Sequence, residues 1–162
     1  MSEQQQAIAP FYNGWDVYQG LLVKAIAPLT PEQLALRSAP NLRSIAELAG
    51  HIIAGRIIWF HMVMGEGSPD LLEQRERFGR HAEERTAQEF VEGLEITWQL
   101  MQACLVRWTP ADLEYVFRGE WRGEPYALSR QWVIWHLIEH DLHHGGELSL
   151  TLGIHGLAAP DL

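Results

Sequence analysis

The sequence predicts an all-α fold, a four-helix bundle with two long connections. Apolar residues recur near 3.6-residue spacing in four segments, and strand-like alternation is scarce. Helix start signals stand at the head of two of these segments. Amphipathic helices of this length bury their stripes against one another. A chain of 162 residues is most economically one domain, with enough length for a sizeable core.

The first segment runs from Gln5 to Ile26 and carries Ile8, Phe11, Trp15, Tyr18, Leu22 and Ile26 on one stripe. Thr30-Pro31-Glu32-Gln33 then reads as the start of a short helical turn, with Pro where a missing N–H costs nothing. The second segment, Ser44 to Met64, carries Leu48, Ile52, Gly55, Trp59 and Met62, and opens on the capping box Ser44-x-x-Glu47. A connection from Gly65 to Arg85 follows. The third segment, Thr86 to Trp108, opens on Thr86-x-x-Glu89 and carries Phe90, Leu94, Trp98, Met101 and Leu105.

Thr109-Pro110-Ala111-Asp112 starts a second short turn and a second long connection, Thr109 to Leu128. Within it Val116–Gly119 and Tyr126–Leu128 flank Glu120-Trp121-Arg122-Gly123 as a small hairpin. The fourth segment, Ser129 to Leu152, carries Val133, Leu137, His140, His144, Leu148 and Leu152, with Gly153 as its stop. Connections this long often serve as functional lids or crossovers. Trp15, Trp59, Trp98, Trp132 and Trp135 fit helix stripes and are expected mostly in the core. Trp121 is expected at a pocket mouth or a subunit contact.

Composition narrows the function. Twelve basic against 21 acidic residues give a net charge of −9, with no Lys/Arg cluster, which argues against direct nucleic-acid binding. The N-terminus has no basic segment followed by an apolar run, and no apolar stretch is long enough for a membrane span, so no membrane association is expected. A single cysteine, Cys104, excludes a disulfide scaffold and points to a reducing, cytoplasmic setting. Cys104 itself is expected as a small buried residue.

The histidines carry the chemistry. His140 and His144 stand four residues apart, so on a helix they project from one face about 6 Å apart along the axis. Both interrupt an apolar stripe, as His51 does in the second segment. Imidazoles among leucines need polar partners, and a divalent transition metal supplies one. Three histidines leave a coordination position open, as catalytic sites do. Zinc or nickel suits imidazole best; manganese and iron also fit.

His136 is roughly 12 Å along the axis from His144, too far to share an ion with it, and is expected in a supporting or pocket-lining role. Glu147 either orients a ligand histidine or pairs with an arginine. Gly55, one turn beyond His51, leaves a space. Gly145-Gly146 is costly inside a helix and suggests close approach of another backbone or room for a substrate. No residue announces itself as a catalytic acid or base beyond these.

Three stretches together resemble the DinB-like superfamily: Leu29-Thr30-Pro31-Glu32-Gln33-Leu34, Ser44-Ile45-Ala46-Glu47-Leu48-Ala49-Gly50-His51-Ile52, and His136-Leu137-Ile138-Glu139-His140-Asp141-Leu142-His143-His144-Gly145-Gly146-Glu147-Leu148. The resemblance runs over essentially the whole chain. It implies a four-helix bundle, a metal triad at His51, His140 and His144, and frequently a homodimer. Gly145 departs from the larger residue that many relatives carry there. Relatives include S-transferases and an isomerase that use low-molecular-weight thiols. The expected function is therefore a metal-dependent enzyme of the thiol S-transferase or hydrolase type, acting on a small-molecule substrate recognised by the two long connections. The alternative is a non-catalytic stress-response module with a structural metal.

Overall fold

The computed structural model describes residues 7–161, so Gln5 and Gln6 of the first segment lie outside the described residues. A 3-10 turn, Ala9–Tyr12, leads into α1 (Asn13–Ile26), and the short α2 (Pro31–Leu34) follows. Next come α3 (Ile45–Ile57), α4 (Leu71–Arg80), α5 (Ala87–Arg107), the strands β1 (Val116–Trp121) and β2 (Glu124–Ser129), and α6 (Arg130–Ile154). The bundle consists of α1, α3, α5 and α6, with α3 packed against both α5 and α6.

The local signals act as the sequence predicts. Ser44 and Glu47 close a reciprocal capping box on α3, and Thr86 and Glu89 do the same for α5. Thr30 and Gln33 cap α2 in the same way. Past Ile57 the α3 helix continues as a π-helical stretch, Ile58–Val63, which carries Phe60 into the core.

The connection from Gly65 to Arg85 is not a plain loop, because it contains α4. That helix presents only Leu71 and Phe78 to the core, two turns apart, too sparse a stripe for periodicity to register. Its close packing on α3 depends on Gly50, where any Cβ would run into the Phe78 carbonyl oxygen. The hairpin is present and longer than expected, pairing Val116 with Ser129 through to Trp121 with Glu124. Its two-residue turn has positive φ at both Arg122 (54°) and Gly123 (85°), the conformation that matches strand twist.

Helix α6 does not stop at Gly153. It runs to Ile154, and Gly156 (φ 70°) terminates it, with Leu157 N–H donating to the Leu152 carbonyl at 2.9 Å and Gly156 N–H to Gly153 at 3.1 Å. This pairing satisfies the free carbonyls of the last turn and packs Leu157 on the core.

Of the tryptophans expected inside, Trp15 and Trp98 are buried, whereas Trp132 and Trp135 are 42% and 60% exposed. Cys104 is buried, and burial with the nearby Glu66 pushes its thiol pKa up to about 12, so it stays protonated and inert. Among the described residues no helix is long and apolar enough to cross a membrane.

Candidate metal centre

The centre forms where α3 and α6 pack. His51 comes from the second turn of α3, and His140 and His144 come from consecutive turns of α6. One ring nitrogen from each lies within 4.8 Å of the others. His51 Nε2 and His140 Nε2 face each other at 3.2 Å. Two imidazoles bound to one tetrahedral zinc ion at about 2.0–2.1 Å would hold their nitrogens roughly 3.3 Å apart. The spacing of this pair therefore suits a divalent ion, with the His144 donor within 4.8 Å of both.

Gly55 makes this approach possible. A Cβ there would lie 2.5 Å from His140 Cε1, so the space left by the glycine is filled by the imidazole. The glycine at 145 has a different neighbour from either one expected. A Cβ there would collide with the Tyr18 hydroxyl, so it is a side chain of α1 that takes the space. Gly146 faces open space, and nothing in the packing explains it.

Supporting contacts set the tautomers. His144 Nδ1 lies 2.7 Å from Glu147 Oε2, and since a carboxylate only accepts, Nδ1 carries the proton and Nε2 keeps its lone pair. Glu147 thus pairs with His144 and with no arginine among the described residues. His140 Nδ1 is buried without a hydrogen-bond partner and lies 3.9 Å from Asp141 Oδ1, a buried oxygen also without a partner. A carboxylate on that side favours the proton on Nδ1 and again frees Nε2.

Asp141 is fixed by the most deeply buried charges described. Its Oδ2 accepts from Arg56 Nη2 (2.7 Å), Arg56 Nε (3.0 Å) and Trp15 Nε1 (2.8 Å), while Arg56 Nη1 donates to Gln19 Oε1 at 2.7 Å. Both charged side chains are fully buried. Burial alone would raise the Asp141 pKa, but the Arg56 guanidinium holds it below the usual carboxylate range. This network joins α1, α3 and α6 directly behind His140. The sequence reading missed it. The available signal was Arg56, a lone cation in the otherwise apolar run Ile52 to Phe60.

Burial, then Arg43 and the two other histidines, lowers the His51 pKa to about 4. Burial also lowers those of His144, against the opposing pull of Glu147, and His136. His51 and His144 are therefore neutral near pH 7, the form that ligates a metal.

His136 stands apart from the three. It stacks on Trp132 at 4.8 Å, meets Trp59 edge-on at 4.7 Å, and its ring centre is 6.4 Å from that of His140. It lines a cleft of about 510 Å³ with Glu139, His140, His143 and His144, a pocket role. His143 is exposed and lies 3.8 Å from Glu147. Neither long connection lines this cleft, where the sequence led us to expect them.

A sequence profile of the DinB superfamily matches residues 15–148, from Trp15 through all three histidines. The chain belongs to the DinB superfamily. A DinB-like protein from Bacillus cereus ATCC 10987 has a similar fold, with a TM-score of 0.73 and 22% identity over 98% of this chain and 99% of that one. A conserved protein from Enterococcus faecalis follows at a TM-score of 0.70 and 16% identity, over 91% of this chain and 98% of that one. At such identities the likeness bears on the DinB fold alone. A search of the curated proteins gives no match.

Proposed function

We propose that this DinB-superfamily protein holds a divalent transition metal, zinc or nickel before manganese or iron, on His51, His140 and His144. We read it as an enzyme of the thiol S-transferase or hydrolase type. The observation that carries this reading is the convergence of three histidine donor atoms within 4.8 Å beside an open cleft. When bound, such an ion supplies a Lewis acid with a free position, which lowers the pKa of a small thiol or a water.

The chain's own groups do the positioning. Glu147 holds the His144 ring through Nδ1, Gly55 seats the His140 ring, and the Arg56–Asp141 pair fixes the turn of α6 that carries it. A cleft open to small molecules favours a substrate-accessible site over a closed structural one.

The test is elemental analysis of untagged protein, together with turnover of a small thiol and an electrophile. Wild type should carry about one metal per chain, and His144→Ala should lose both metal and turnover. Undiminished turnover by metal-free protein would overturn the reading.

We also read the protein as a homodimer. Ile138 and the exposed Trp135 and Leu142 lie on one face of α6, and the exposed Phe11 lines a groove with Ile138 and Leu142. Light scattering should give a mass near twice 18.5 kDa; a monomer mass at working concentration contradicts it.

A further inference from the structure

A second cavity, of about 460 Å³, adjoins the histidine cluster through Glu147. One side comes from the chain leading into α3, with Ser38, Asn41 and Arg43, and the other from the later turns of α6, with Glu147 and Thr151. Leu48 adds an apolar wall. The volume lies within the range of about 300–1,000 Å³ usual for small-molecule sites.

Three of its polar side chains, Arg43, Ser38 and Asn41, are unspent among the described residues. Arg43 is exposed and makes no ion pair or side-chain hydrogen bond among the described residues. Arg37, six residues earlier, is tied to Glu47 and Glu83 at 2.6 Å each. The Ser38 hydroxyl and the Asn41 amide are likewise without partners among the described residues. Glu147, by contrast, is engaged with His144. The cavity thus offers one free cation and two free hydrogen-bonding groups beside an apolar wall, one side chain away from the cluster.

We infer that this cavity is a recognition site for a carboxylate-bearing small molecule, with the carboxylate on Arg43 and the other end directed past Glu147 to the histidines. A planar guanidinium matches a carboxylate bidentately. A phosphate dianion is disfavoured, because a single arginine faces it and Glu147 shares the cavity. Glu147 lines the cavity and contacts His144 at 2.7 Å, which places the cavity next to the cluster. Arg43 is the one guanidinium that lines this cavity, on a chain of net charge −9. The inference rests on the proposed function only for what happens at the far end of the ligand.

The test is binding, followed by NMR titration, of 3-mercaptopropionate against 3-mercaptopropanamide and of butyrate against butanamide. Both pairs are run on the protein as purified and after zinc loading. Each carboxylate should bind about tenfold tighter than its amide in wild type. The preference should fall to about one in Arg43→Gln, recover in part in Arg43→Lys, and persist in the exposed control Arg118→Gln. A preference in the thiol pair alone also supports the site and identifies the thiol as the carrier of the carboxylate. No preference in either pair, or one that Arg43→Gln leaves intact, overturns the inference. Arg43-dependent binding by a protein that carries no metal and turns nothing over would overturn the enzymatic reading and leave the carboxylate site standing.

Discussion

At the scale of single residues, the site depends on atoms that are missing as much as on those present. Gly55 has no Cβ, and the His140 ring occupies that place. Gly55→Ala should therefore weaken metal binding by about 10- to 100-fold, the usual penalty for disturbing a ligand's support. Alanine is about 1 kcal/mol better than glycine inside a helix, so the metal-free variant should melt within a few degrees of wild type. Chelator competition and thermal melts separate the two effects; unchanged affinity would contradict this account. The three ligand candidates were legible in the sequence because imidazoles interrupting apolar stripes stand out. Asp141 was not, because it lies one residue off the expected stripe of α6 yet is fully buried, while His140 sits nearer the edge. Stripe arguments place a residue to within about 100° around a helix, which is enough to find a ligand and too coarse to find its support.

Among the elements, α3, α5 and the two short Pro-led turns could be read because their caps are written in adjacent residues. Helix α4 could not, since it is held by tertiary contacts that leave few apolar letters behind. Phe78 is the larger of its two buried side chains. It is 2% exposed, lies 5.7 Å from Phe90 ring to ring, and fills the space beside Gly93. Phe78→Ala should cost about 3–5 kcal/mol in urea unfolding, the range for a buried phenylalanine. A cost under about 1 kcal/mol would mean that α4 is not part of the cooperative unit. The hairpin was found by its turn residues and underestimated in length, because its strands are largely exposed and show little alternation.

For the whole molecule, the ionisable groups set a pH window. His51, His136 and His144 have folded pKa values below their ordinary 6.5, so the unfolded chain takes up protons first as pH falls. Their penalty starts near pH 6.5 and, for His51, is complete below about 4. Glu47, Glu89, Asp112, Asp141 and Glu147 lie below their ordinary values, so the stability they contribute is lost as pH falls through the acid range. Tyr12, Tyr18 and Cys104 are raised, so above about pH 9 the unfolded chain ionises first. The urea midpoint of metal-free protein should be highest between about pH 7 and 9 and fall on both sides. A midpoint that rises from pH 7 to 5 would contradict these environments.

The contact between His51 and His140 has a topological consequence as well. The two positions are 89 residues apart along the chain. An ion shared between them closes a ring that includes α4, α5 and the hairpin. Restricting the unfolded chain by a ring of that length is worth about 4–5 kcal/mol by chain entropy. A site able to knot the middle of the chain in this way would slow its unravelling whether or not anything ever reacts there.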